Sequence, residues 1–404
     1  MRMGEIFTAP VEGIAAGGSG IIRYRGKSIF MNLTAPGDVV TGRIIEENKG
    51  WAWAELLEIP EPSPLRETPF CPLYGSCGGC SLQHLSYEAQ LTEKSRILRD
   101  AFVRLGSFSS FPEPGIRPSV PEGYRNRMQF HRIKQIPPSR RFRPVPGPER
   151  SRQPVSLGLR ARKSGDLIPV ADCPIADPGI RRALAEGALP LAPDKDRFTV
   201  YARGTTLVYE GGRSRGKVKL LDRELSIDAG LFFQSNGSAL EVLIPELLEA
   251  VQGADPSLPM ADIYCGVGTF AVFLGAYFPR IDLVEENRQA LGLARENMPG
   301  GNCRFFPLRA DQWVKTLGER IKSPGKRPYG FIIMDPPRQG LSGPLRQWLV
   351  SAGPPVLAYV SCDPATLARD SRELCRGGYG LEKLNFHDFY PQTAHIETLA
   401  VFKR

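Results

Sequence analysis

Short apolar runs recur through residues 229–404: "MADIYC", "RIDLVEE", "CRFFPL", "YGFIIMD", "PVLAYVSC" and "HIETLAVFK". Between them lie stretches with helical periodicity, such as "RQALGLAREN" and "ATLARDSRELCR". A short apolar run bounded by turn signals fits a strand buried on both faces, and such strands pair in parallel through crossover helices. The alternation therefore predicts a doubly wound, mostly parallel α/β sheet. In that architecture ligands sit beyond the carboxyl ends of the strands, so chemistry is expected just after each run.

The first such end is "ADIYCGVGTFAVFLG" (261–275), an apolar strand, a Gly-x-Gly turn and an apolar helix. Gly266 and Gly268 let the backbone turn tightly enough for a ligand to approach it. Glu285 ends the next strand, at the spacing where an acid can hold ribose hydroxyls. The pattern fits a dinucleotide or S-adenosylmethionine. It lacks the third glycine of the NAD fingerprint, and Asp262 at the strand's end suits S-adenosylmethionine better. "FIIMDPPRQGL" (331–341) is a buried strand ending in Asp-Pro-Pro. Asp335 is expected to project into the same crevice from a loop stiffened by two prolines, as in methyltransferases that act on planar bases. Cys362 in "YVSCDPATLARD" (359–370) reads two ways: a small buried hydrophobe, or a thiol at a functional strand end.

The front half differs. Residues 1–60 carry short strand-like runs broken by Gly-Gly, Arg-Gly and Pro-Gly-Asp, as in a small β-barrel, dotted with Arg23, Arg25, Lys27 and Arg43. A proline-rich connector, "PEPSPLRETP" (60–69), follows. Residues 61–228 form a second expected domain, with strand-rich sequence from 113 and a helix over 86–106 that can pack on the catalytic domain 229–404. This middle region holds Cys71, Cys77 and Cys80 as Cys-x5-Cys-x2-Cys, and Cys173 further on. The chain has eight cysteines and no apolar leader at Met1, which argues for a reducing compartment and metal or catalytic roles. Four thiolates satisfy zinc or an iron–sulfur cluster alike. A net charge of +9 favours a polyanionic partner. A basic, proline-rich segment at 134–154 reads as an exposed loop, and "YRNRMQFHR" (124–132) as a candidate nucleic-acid-facing strand or a mixed strand with solvated arginines. No stretch reads as a membrane span.

The motifs "FFQSN" (232–236), "DIYCGVGTF" (262–270), "MDPPRQGL" (334–341), "YVSCDPATLARD" (359–370) and "HIETLAVF" (395–402) together resemble the RNA uracil-5-methyltransferase family. Residues 1–58 resemble a TRAM domain, an OB-like RNA-binding barrel. "CPLYGSCGGCSLQH" with "DCPI" resembles the family's iron–sulfur site, as found more in its ribosomal RNA enzymes than in its tRNA enzymes. The resemblance implies a cytoplasmic, monomeric enzyme acting on a flipped uridine in a loop of 23S ribosomal RNA. It implies Cys362 as nucleophile and Glu397 as base. It implies S-adenosylmethionine contacts at Gln234, Tyr264, Thr269, Glu285, Asp311 and Asp335, and a [4Fe–4S] cluster on Cys71, Cys77, Cys80 and Cys173. Helix-terminal N–H groups are expected to favour a thiolate at Cys362. Many members carry Asn after the nucleophile; here Asp363 stands there and is expected to point away and cap the following helix. A tRNA substrate is the alternative within the class. Cytosine methylation would need a Pro-Cys or Thr-Cys context, which Cys362 lacks. A non-catalytic RNA-binding protein would not need both Cys362 and Glu397.

Overall fold

The computed structural model describes residues 1–133, 157–162, 164–189, 196–300, 302–320 and 327–404. The basic segment read at 134–154 lies outside the described residues. Strands β1 (Ile6–Ile14), β2 (Gly20–Tyr24), β3 (Lys27–Met31), β4 (Val39–Glu47) and β5 (Trp51–Glu61) close into a barrel in the order β1-β2-β3-β5-β4. Alternation along the strands sets its interior. Phe7, Ala9 and Val11 of β1 face inward with Ile22, Ile29, Met31, Val40, Ile44, Ala52 and Ala54. The residues between them, Phe30, Trp51 and Trp53, therefore lie on the outer face, where parallel pairing of β3 and β5 sets Phe30 beside Trp53.

Helix α1 (Tyr87–Arg104) starts at Ser86, whose side chain accepts from the Ala89 amide. Its apolar face, including Leu98 and Phe102, enters the core beneath the C-terminal sheet. Strand β6 (Gly115–Arg117) is the outermost strand of that same sheet. A separate five-stranded sheet of order β11-β10-β7-β8-β9 is formed by β7 (Arg127–Arg132), β8 (Leu157–Arg160), β9 (Leu167–Pro169), β10 (Arg197–Arg203) and β11 (Thr206–Tyr209). Helix α2 (Pro178–Ala185) packs on it around Phe130, Ile180, Phe198 and Val200. The hairpin β12 (Arg215–Leu220)–β13 (Arg223–Asp228) packs instead with the C-terminal core. Thus α1, β6 and the hairpin, all within 61–228 in sequence, belong in packing to the C-terminal unit.

That unit continues with α3 (Gly237–Val251), β14 (Met260–Ile263), α4 (Thr269–Leu274), β15 (Ile281–Val284), α5 (Arg288–Asn297), β16 (Cys303–Phe306), α6 (Ala310–Arg320), β17 (Phe331–Met334), α7 (Gly343–Ala352), β18 (Val356–Ser361), α8 (Pro364–Arg376), β19 (Gly380–His387) and β20 (Glu397–Lys403). The eight-stranded sheet runs β16-β15-β14-β17-β18-β20-β19-β6. Neighbours from β16 to β18 are parallel, and β20 is inserted antiparallel between β18 and β19. Side chains of β17 alternate between two layers. Phe331 and Ile333 face α3, α4 and α5; Ile332 and Met334 face α1, α6, α7 and α8. Strand order reverses at β14, which is where such a sheet opens a crevice. Among the described residues no helix is long and apolar enough to cross a membrane.

Candidate active site

Each strand that meets the crevice hands over a functional side chain as it ends. After β14, Tyr264 adopts φ 65° and Gly266 and Gly268 adopt φ 54° and 80°. A tyrosine in the left-handed region is strained by about 1–3 kcal/mol, and such strain tends to gather at functional sites. After β15, Glu285 accepts the Gly266 amide at 3.2 Å and the Asn287 amide at 2.7 Å. After β17, Asp335 accepts from the Gln234 side-chain amide at 3.0 Å. After β18 comes Cys362. Antiparallel β20 starts where β18 ends, with Ser361 opposite Thr398, and so brings Glu397 to the same edge.

Gln234, Tyr264, Glu285, Asp311, Asp335, Cys362 and Glu397 all line one cavity of about 1030 Å³. Two expected residues do not. Thr269 opens α4 and is buried, outside the residues that line this cavity. Asp262 is fully buried one position inside its strand, where its Oδ2 accepts the Ala271 amide of α4 at 3.2 Å. Its Oδ1 has no partner among the described residues, and burial pushes its carboxyl up to about 8. It supports the turn from below and does not reach the crevice.

The electrostatics at the strand ends work against a thiolate at Cys362. Burial, then Glu397 and Asp335, push the Cys362 thiol up to about 12, against a smaller pull from Arg338. Burial raises Asp335 to about 7, with the Gln234 hydrogen bond working the other way. Burial and Asp335 hold Glu397 well above the ordinary carboxylate range. Three acids crowd one poorly solvated spot, so negative charge on any one raises the others. This crowding favours the protonated thiol at Cys362 and works against the pull expected of the helix terminus. Asp363 behaves as expected: it is the N-cap of α8 and its Oδ1 accepts the Thr366 amide at 2.8 Å.

A second cavity of about 960 Å³ meets the first at Cys362, Arg125, Arg338 and His395. Its wall carries Arg160, Arg162, the barrel residue Trp53, and all four expected cluster ligands, Cys71, Cys77, Cys80 and Cys173. Among the described residues, however, no group of three or more His, Cys, Asp or Glu is arranged to hold a metal ion. The four thiols share one wall without converging into a coordinating set. Burial raises Cys71, Cys80 and Cys173. The donor chemistry, four soft sulfurs on one cavity, fits a thiolate-bound metal; the closed site does not exist in this geometry.

The family model described as tRNA (Uracil-5-)-methyltransferase matches residues 200–404. An uncharacterized RNA methyltransferase of Treponema denticola is 32% identical over 94% of this chain and 94% of its own length. The chain belongs to the RNA uracil-5-methyltransferase family. Within it, a 23S rRNA (uracil(1939)-C(5))-methyltransferase of Alkalilimnicola ehrlichii is 31% identical, over 99% of this chain and 97% of that one. The crystal structure of the Pyrococcus abyssi tRNA (uracil-54, C5)-methyltransferase in complex with S-adenosyl-L-homocysteine superposes with a TM-score of 0.72 at 22% identity, covering 98% of this chain and 100% of that one. That likeness carries the fold. The chain is thus an RNA uracil-5-methyltransferase, and its remaining cavity residues take on meaning. Phe232 and Arg338, which fall inside the motifs "FFQSN" and "MDPPRQGL" without a role assigned to them there, line the first cavity together with Tyr390, which no motif marks. His395, flanking Glu397, meets Arg338 Nη2 through its Nδ1 at 3.3 Å and is driven down to about 4 by burial, so it is neutral.

Proposed function

We propose that this enzyme transfers a methyl group from S-adenosylmethionine to C5 of a uridine in 23S ribosomal RNA. The observation that carries the reading is the convergence of Cys362, Asp335 and Glu397 on one cavity that opens into a second, arginine-walled one. Gln234, Tyr264, Glu285, Asp311 and Asp335 would hold S-adenosylmethionine, which when bound would supply an electrophilic methyl and a positive charge favouring the anionic forms of these acidic neighbours. Cys362 sulfur, its proton given up to solvent, forms a bond to C6 of the uracil, and the ring electrons move toward C5 and O4. C5 thereby becomes the nucleophile that accepts the methyl. The Glu397 carboxylate then takes the C5 proton; that electron pair re-forms the C5–C6 double bond and the C6–sulfur bond breaks, returning the thiolate. The two cavities meet at the thiol, so the uridine has to leave its stack to reach Cys362. The barrel and the arginine wall would hold the flanking RNA.

A ribosomal substrate is supported by relatives of that name matching from end to end. A tRNA substrate is the second reading, favoured by the name of the matching family. Mass mapping of 5-methyluridine in ribosomal and transfer RNA, from cells with and without the protein, decides between them; loss at neither would overturn both. The four cysteines of the second cavity are proposed to hold a [4Fe–4S] cluster when loaded. Iron and sulfide in anaerobically purified protein are the expected result, and stoichiometric zinc would replace that assignment.

A further inference from the structure

Residues 388–396, between β19 and β20, deliver Tyr390 and His395 to the catalytic cavity and end on Glu397. Connecting segments are ordinarily the loosest part of a fold. Here four successive carbonyls are each held by a different part of the chain. Phe389 O accepts from the Asn236 side chain at 3.1 Å, and Tyr390 O from Lys94 Nζ at 2.9 Å. Pro391 O accepts from the Tyr124 hydroxyl at 2.8 Å, and Gln392 O from the Ser81 and Leu82 amides at 2.9 and 3.0 Å. Lys94 Nζ also pairs with Asp388 at 2.7 Å, with both side chains wholly buried, and the Tyr87 hydroxyl donates to the same carboxylate at 3.0 Å. Gln392 sits at φ 67°, locked to Gln90 by two bonds of 2.9 Å: its amide donates to Gln90 Oε1, and Gln90 Nε2 donates to its Oε1.

Neither device is explained by stability alone. A buried ion pair is often no better than a well-packed apolar replacement. A non-glycine residue in the left-handed region persists only where its surroundings over-determine it, and such places gather at functional sites. A general base, in turn, works only when held to within about 0.5 Å of its productive position. We propose that Gln90 and Lys94, both on α1, are positioning residues: they clamp the 388–396 strap so that Glu397 meets the C5 proton. The proposal rests on the reading of Glu397 as the base.

The base acts last, on the covalent enzyme–RNA intermediate. A loosened strap should therefore let that adduct accumulate, which mere loss of folded protein would not do. The test compares Gln90→Leu, the double variant Lys94→Met/Asp388→Leu, and Glu397→Gln with the wild type. The full enzyme and a target RNA fragment are used, adducts are read on denaturing gels, and kcat and KM are measured. The double variant leaves no unpaired buried charge, so it supplies folded protein if Gln90→Leu does not. The expected result is kcat about ten- to a hundredfold lower with KM nearly unchanged, and adduct visible in both strap variants as in Glu397→Gln. If Glu397→Gln traps adduct while folded strap variants turn over normally without it, the clamp is refuted and the base stands. If Glu397→Gln traps none, the base reading falls and the clamp with it.

Discussion

At the scale of single residues, the site is a problem of proton storage. Cys362, Asp335 and Glu397 are all pushed toward their neutral forms by burial, Cys362 further by Glu397 and Asp335, and Glu397 further by Asp335. The thiol is the one group among them that can add to C6 and leave again. Cys362→Ala should therefore abolish methyl transfer, by at least about a thousandfold, while S-adenosylmethionine affinity measured by calorimetry stays within a few fold. Normal turnover in that variant would remove Cys362 from the chemistry. Asp262 offers a different reading of the same physics. Its folded carboxyl titrates near 8, far above that of an unfolded chain, so the folded state keeps a proton that the unfolded state releases. Stability from this group is full below the ordinary carboxylate range and is lost as pH rises toward 8, at up to about 1.4 kcal/mol per pH unit. Asp262→Asn keeps the acceptor for Ala271 and cannot titrate. Its stability relative to wild type should grow between pH 5 and pH 8 in denaturant melts, and a constant difference across that range would contradict a neutral buried Asp262.

At the scale of elements, function depends on how β18 gives way to α8. Asp363 caps α8 and also fixes the peptide after Cys362, the proposed nucleophile, since its own amide donates to the Ser361 hydroxyl at 3.3 Å. Asp363→Ala should cost about 1 kcal/mol of stability and lower kcat as well, whereas Asp363→Asn should keep both; chemical denaturation and steady-state kinetics report the two effects. Much of this scale was legible in the sequence, because strand ends in a parallel sheet follow from periodicity and the turn residues mark them. Glu285, Asp335 and Cys362 emerged that way. Asp262 did not, because a shift of one residue at a strand end moves a side chain from the crevice into the core. The clamp of α1 on the 388–396 strap was not legible at all. Its partners lie about 300 positions apart in the chain, and "HDFYPQTAH" has no periodicity or spacing that announces a role. The Cys-x5-Cys-x2-Cys spacing places three thiols together, and Cys173 joins them on the same cavity wall, but spacing cannot say whether sulfurs converge.

At the scale of the whole molecule, the two cavities meeting at Cys362 define a path. Among the described residues, the second cavity is lined by Arg125, Arg160, Arg162 and Arg338 against Asp172 and Asp363, and Trp53 of the barrel also lines it. From there Phe30 lies 5.6 Å from Trp53, and Trp51 lies 6.4 Å from Phe30, ring centre to ring centre. These three aromatics occupy the solvent face of β3 and β5, and Trp51 is 38% exposed. Large rings in a row on an outer barrel face, continuous with a cationic cavity, match what a single strand of RNA needs: charge for its phosphates and flat surfaces for its bases. Stacking is worth about 1–3 kcal/mol per base, about five- to a hundredfold in affinity. Trp53→Ala should therefore raise KM by that order for a target RNA with a long single-stranded flank. It should leave kcat within about twofold, because Trp53 lies outside the cavity that holds Glu397 and Asp335. A fragment trimmed to the uridine and its immediate neighbours should show no such penalty, and the long RNA should quench tryptophan fluorescence in the wild type. Equal KM values for wild type and variant on the long RNA would mean that the strand leaves the active site by another route.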